Sequence, residues 1–165
     1  SLRLSQQYFL VSTSVQDIVQ RHLEKYGTMD NLPEMAAVHI NDTHPALCVP
    51  ELMRLLIDEH HYSWEKAWDI TTRTIAYTNH TVLPEALEVW SKDLIERRLP
   101  RIYMIIEEIN RGNAASIFGD IFQFNSSRRI HCFSPVSLAF KRVLRTTFFS
   151  KLKIEQRRSK ILLRP

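Results

Sequence analysis

His39-Ile40-Asn41-Asp42-Thr43-His44-Pro45 and Tyr77-Thr78-Asn79-His80-Thr81-Val82-Leu83-Pro84-Glu85-Ala86-Leu87-Glu88 decide how this chain folds. Each stretch leaves an apolar run and enters a helical pattern, and each concentrates imidazole, carboxylate and amide groups within a few residues. Loops that leave buried strands and open onto helices are where α/β proteins place ligand-binding groups. Two such loops within about fifty residues, rich in hydrogen-bonding side chains, suit a ligand with many hydroxyls.

Outward from the first loop, Met35-Ala36-Ala37-Val38-His39-Ile40 reads as a short buried strand, although so short an apolar run is ambiguous between strand and helix. Upstream, Ser14 with Asp17 at the third helical position resembles a capping box. Val15, Ile18, Val19, His22 and Tyr26 then keep helical spacing up to a stop at Gly27. Asn31-Leu32-Pro33 is a turn. Downstream, Pro45 and Pro50 are tolerated at a helix start, and Leu52, Met53, Leu55, Leu56 and Ile57 predict a well-buried helix. Ser63 caps another, with Trp64, Ala67, Trp68, Thr71 and Ile75 along one face. Ile75-Ala76-Tyr77-Thr78 is strand-like and leads into the second loop. Pro84 opens a helix, residues 92–99 form one more, and Pro100 restarts a helix whose stripe is Ile102, Ile105, Ile106 and Ile109. Strand, loop and helix alternate, as in part of a doubly wound α/β sheet.

At 165 residues the chain is one domain or part of one. No run approaches the roughly 18 apolar residues that span a bilayer, and no basic-then-apolar signal opens the sequence. Cys48 and Cys132 lie far apart without metal-type spacing, which fits a reducing cytoplasm. The net charge of +4 hides two unlike parts. Residues 1–120 carry eleven Lys/Arg against seventeen Asp/Glu; residues 121–165 carry eleven Lys/Arg against Glu155 alone. Such a break marks a separate tail or a segment of different origin.

From the residues alone, the first loop has two readings. Asp42 and His44 clamp a ligand, or Asp42 or Thr43 merely caps the next helix. In the second loop His80 lies near Glu85 and Glu88, a set that either does acid–base work or forms a solvated face. The histidine spacings do not form a zinc motif, so no metal is expected. By charge the basic tail suits nucleic acid or an anionic membrane, yet it carries no nucleic-acid motif, and a non-native or out-of-frame tail explains it at least as well; no specific nucleic acid and no membrane is expected as a partner.

The motifs settle more than the spacing. Asn41-Asp42-Thr43-His44-Pro45-Ala46-Leu47, Pro50-Glu51-Leu52-Met53-Arg54-Leu55-Leu56, Trp64-Glu65-Lys66-Ala67-Trp68 and Ala76 through Glu88 closely resemble the α-glucan (glycogen, starch and maltodextrin) phosphorylase family. Tyr8-Phe9-Leu10-Val11 with Gln16-Asp17-Ile18 resembles the segment upstream, and Leu99-Pro100-Arg101 with Ile105-Ile106-Glu107-Glu108-Ile109-Asn110 the segment downstream. The likeness runs in order over residues 2–120.

That resemblance implies an internal, helix-rich piece of the N-terminal lobe, partly doubly wound and Rossmann-like, of the glycosyltransferase-B type. The basic tail of residues 121–165 stays outside it, as an out-of-frame or disordered segment. The implied activity is reversible phosphorolysis of α-1,4-glucan, giving glucose 1-phosphate, with pyridoxal 5′-phosphate held on a lysine that this chain lacks. The implied partners are α-1,4-glucan, phosphate and a second copy of the enzyme, in the cytoplasm. By matched position, His80 contacts the reacting glucosyl unit, Asp42 and His44 lie beside it, and Ala86 and Glu88 belong to the pocket wall. Two departures stand out. Val89 replaces a frequent arginine, and Gln20-Arg21 retains only one of the two arginines that bind effector phosphate in regulated animal members. The alternative is a catalytically inactive truncated fragment with a basic tail.

Overall fold

A computed structural model describes residues 2–78, 87–111, 122–124 and 129–132, the last two stretches as backbone. All of them fall in one unit of the chain, residues 1–135. They form a helix-rich α/β arrangement with a small parallel sheet.

The first helix, α1, runs from Leu2 to Tyr26, thirteen residues longer at its start than Ser14 as a cap would give. Ser14 lies inside it, its hydroxyl donating back to Leu10 O at 2.7 Å. That local bond is the other use a helical serine has for its hydroxyl. Leu4, Val11, Val15, Val19 and His22 form the buried stripe. Gly27 ends the helix at φ +70°, donating to Leu23 O at 2.8 Å; glycine takes this left-handed conformation without a Cβ penalty.

Asn31-Leu32-Pro33 turns into a short helix, α2 (Leu32–Met35), with proline in its first turn. Met35 is therefore helical, and strand β1 is confined to Val38–Asn41. Helix α3 (Cys48–Arg54) places Pro50 in its first turn, where its missing N–H has no intrahelical partner to lose. It passes directly into a π-helical turn, Leu55–Glu59. Leu52, Met53, Leu55 and Leu56 are buried, as the apolar run predicts, whereas Ile57 is only half-buried.

Helix α4 (Trp64–Thr74) starts on Ser63, whose hydroxyl accepts from Lys66 N at 3.3 Å. Its buried face is Ala67, Ile70, Thr71 and Thr74, with Trp64 and Trp68 half-buried at its margin. Strand β2 (Ile75–Thr78) follows without a break and pairs in parallel with β1, Val38 opposite Ile75 and Asn41 opposite Thr78. The two helices between them make the crossover that parallel strands require.

Strand β3 (Val89–Ser91) leads into α5 (Lys92–Arg98) and α6 (Pro100–Arg111). Ile102, Ile105, Ile106 and Ile109 are fully buried, each contributing roughly 1.5–3 kcal/mol of apolar burial. Two strands of the basic region, β4 (Phe122–Phe124) and β5 (Arg129–Cys132), complete an antiparallel sheet in the order β3-β5-β4. The rest of residues 121–165, and residues 79–86 where the helix from Pro84 is expected to begin, lie outside the described residues; Leu87 and Glu88 are not helical, so that helix does not extend to Glu88. No helix among the described residues is long and apolar enough to cross a membrane.

Candidate functional site

The two polar loops leave the same end of the parallel strand pair. Past the last paired residues, Asp42 N donates to Thr78 O at 2.7 Å and carries the ladder one residue further. Asp42 then turns left-handed, at φ 67°, a conformation that aspartate tolerates better than most residues. Its Oδ1 accepts from Thr43 N at 2.6 Å and from Thr43 Oγ1 at 3.2 Å.

Capping does not explain these residues. Helix α3 begins at Cys48, and its N-cap is Leu47, with no side-chain bond. The first N–H groups are taken by the preceding turn: Cys48 N by Pro45 O, Val49 N by Ala46 O. Asp42 and Thr43 instead build the loop itself.

Thr43 is completely buried and joins the two loops, its Oγ1 accepting from Glu88 N at 3.3 Å. Glu88 is buried as well, and its Oε2 meets Arg3 at 2.8 Å and the Gln7 amide at 3.0 Å, both from the first turns of α1. The same Arg3 nitrogen lies 3.1 Å from His44 Nε2. Because guanidinium has no acceptor, His44 Nε2 must accept, which puts the ring proton on Nδ1. Beside the strands, His39 Nε2 lies 2.6 Å from Thr78 Oγ1. Asp42, Thr43, His44 and Glu88 are thus linked with Arg3 in one hydrogen-bonded constellation of acceptors, an imidazole and a guanidinium. His80 and Ala86, with Glu85, lie outside the described residues.

Sequence reasoning missed what holds α1 in place. Glu51 is completely buried within α3. Its two oxygens accept from Tyr8 Oη at 2.9 Å, Ser12 Oγ at 2.8 Å, and Arg54 through Nε at 3.0 Å and Nη2 at 2.9 Å. Arg54 reaches Glu59 as well, at 2.8 Å. The carboxylate beside it raises the Arg54 pKa above its already high ordinary value. Burial, then Glu51, pushes the Tyr8 phenol up. An acid amid an apolar helix, with arginine three residues on, was the available signal, since a buried charge must be paired. Arg3 and Gln7 were missed for a related reason, standing some forty to eighty positions from the groups they touch.

Two other chemistries find no support in these groups. Burial pushes the Cys48 thiol up to about 12, with Glu51 adding to the effect, so it stays a thiol rather than a thiolate nucleophile. No cluster of three metal-ligating side chains occurs among the described residues. The described residues also do not fit a pyridoxal aldehyde. Lys66 is paired with Asp30 at 3.1 Å and Lys92 with Glu107 at 3.3 Å, while Lys25 lies over the Tyr26 ring at 5.0 Å. Each of these amines is already engaged by a neighbouring side chain.

Comparison with known proteins gives the site its context. A family model described as carbohydrate phosphorylase matches residues 1–142. A glycogen phosphorylase of Bacillus subtilis (strain 168) is 58% identical over 109 residues, covering 66% of this chain and 14% of the relative. A glycogen phosphorylase of Synechocystis is 57% identical over 110 residues, 67% of this chain and 13% of the relative. An alpha-1,4 glucan phosphorylase L isozyme of Vicia faba, named as chloroplastic/amyloplastic, is 59% identical over 113 residues, 67% of this chain and 11% of the relative. The chain therefore spans only 11% to 14% of the length of these relatives. With most of its length matched by the family model, and both polar loops within that match, the chain belongs to the carbohydrate phosphorylase family.

Proposed function

We propose that this chain supplies part of the glucosyl-binding wall of an α-1,4-glucan phosphorylase, an enzyme that cleaves α-1,4-glucan with phosphate to release glucose 1-phosphate. The observation that carries the reading is the joining of the two loops: Glu88 N on Thr43 Oγ1, and Arg3 between His44 and Glu88. Within a family named for carbohydrate phosphorolysis, such a set of fixed acceptors and donors fits sugar hydroxyls.

In this reading Asp42 and Glu88 accept hydrogen bonds from the sugar and His44 orients it. His80, by its matched position, stands against the reacting unit, with Ala86 in the wall. Groups fixed before the substrate arrives stabilise developing charge better than groups that must reorganise. β1 and β2 are then two strands of a larger doubly wound sheet, Rossmann-like and of the glycosyltransferase-B type. Pyridoxal 5′-phosphate belongs to the same reading as the phosphate-bearing cofactor of the whole enzyme; the described lysines do not hold it, and no step here runs through it. A cytoplasmic, homodimeric enzyme completes the proposal, on family grounds alone.

The test uses the full-length enzyme carrying this chain, supplied with glycogen and phosphate. Phosphate-dependent release of glucose 1-phosphate, cut strongly by His80→Ala and by Glu88→Ala, is the expected result. A full-length enzyme without that release, or a His80→Ala variant with unchanged kinetics, would refute the reading.

A further inference from the structure

A line of oriented hydrogen bonds supports Glu88 from the side of α1. The Trp90 indole N–H donates to Gln7 Oε1 at 3.2 Å, and Gln7 Nε2 donates to Glu88 Oε2 at 3.0 Å. The direction of this line is forced. Indole is a donor only and an ionised carboxylate an acceptor only, so a flipped Gln7 amide would set two donors face to face at Trp90 and two acceptors face to face at Glu88. Trp90 and Glu88 are 4% and 8% exposed, which leaves water little room to replace a lost bond.

Gln7 stands one helical turn after Arg3, whose guanidinium takes the same oxygen. Two donors from successive turns of α1 therefore converge on Glu88 Oε2, and among the described residues neither engages Oε1. Close by on the same helix, Tyr8 and Ser12 are anchored on Glu51, so the donors are carried by a fixed support.

We propose that Gln7 is a positioning residue of the glucosyl pocket. Locked by Trp90, it commits Glu88 Oε2 to the protein and leaves Oε1 to accept from a sugar hydroxyl. This rests on the functional reading above and adds two residues to it, Gln7 and Trp90, neither of which touches the sugar.

The experiment is done on the full-length enzyme with glycogen and phosphate. Gln7→Met, of similar length and without polar atoms, should lower kcat/KM on the order of 10-fold, short of the roughly 100-fold that a displacement of about 1 Å can cost. Trp90→Phe should act in the same direction but less, because it frees the amide to flip. In a Glu88→Ala background Gln7→Met should change kcat/KM no further, whereas a general weakening of the fold would add its loss in both backgrounds. An equal loss in both backgrounds overturns the proposal, as does a Gln7→Met enzyme with wild-type kinetics where Glu88→Ala is impaired.

A second readout is independent of turnover. With 5-fluorotryptophan incorporated, the Trp90 signal, assigned by its disappearance in Trp90→Phe, should move in Gln7→Met. A stationary signal breaks the relay. A wild-type enzyme without phosphorolysis overturns the functional reading and the positioning role with it, so the two failures are told apart by the wild type alone.

Discussion

Replacing Glu51 by alanine should loosen α1 from the rest of the structure. The carboxylate is fully buried and receives four donor contacts, one each from Tyr8 and Ser12 on α1 and two from Arg54 on its own helix. Removing one partner of a buried ion pair costs about 3–5 kcal/mol, mostly through the uncompensated charge left behind. Arg54 keeps Glu59 and its side chain is 20% exposed, so the low end applies, about 3 kcal/mol. At roughly tenfold per 1.4 kcal/mol, that is a rise on the order of 100-fold in opening of α1. Hydrogen exchange followed by mass spectrometry on peptides from residues 2–26 of the full-length protein reads this opening directly. The double variant Glu51→Leu with Arg54→Met should recover much of the protection, since an apolar pair of similar volume replaces a buried ion pair at little cost. If α1 peptides of Glu51→Ala exchange within about threefold of wild type, the anchoring argument fails.

Other outcomes follow from single contacts. The isolated 165-residue chain should release no glucose 1-phosphate from glycogen and phosphate, since catalysis needs groups fixed on all sides of the reacting centre; turnover by the purified chain would contradict this. Ser63→Ala should remove the α4 cap at a cost of about 1 kcal/mol, seen as faster amide exchange confined to the first turn of α4. Tyr103 donates to Glu107 at 2.8 Å, and that bond, followed by burial, raises its pKa to about 12. A folded-state value raised above the unfolded one means stability complete below pH of about 10 and falling as pH rises toward 12. Tyr103→Phe should flatten that alkaline fall and remove one late-titrating phenolate from the absorbance titration near 295 nm; a curve like the wild type's would rule the bond out.

The α4, α5 and α6 helices and strand β2 were legible because each carries a local signature: a capping serine, a proline start, an isoleucine stripe or a β-rich run. Helix α1 was half-legible. Its apolar stripe is interrupted where Tyr8 stands, and that position is satisfied by Glu51, forty-three residues away, rather than by burial among apolar groups. Ser14 has the chemistry of a cap but spends it on Leu10 O, a choice that residue type does not decide. The π-helical turn has no local marker, since Leu55–Glu59 reads as continuous helix. Of the candidate site, Asp42, His44 and Glu88 stand out through motif, while Arg3 and Gln7 acquire their contacts only when α1 is laid beside Glu88.

The register of the parallel strands has a consequence for the order of synthesis. Val38 must wait for Ile75 before β1 has a neighbour, and Thr43 must wait longer still for Glu88. A chain emerging from the ribosome at about 5–20 residues per second holds the first loop unpartnered for seconds while α3 and α4 are made. Local helices form in microseconds or less, so α3 and α4 can be in place before β2 arrives. The junction of the two loops is thus among the last things this stretch of polypeptide can assemble. A ribosome pause placed just before residue 75 would expose the unpaired β1 edge for as long as the pause lasts.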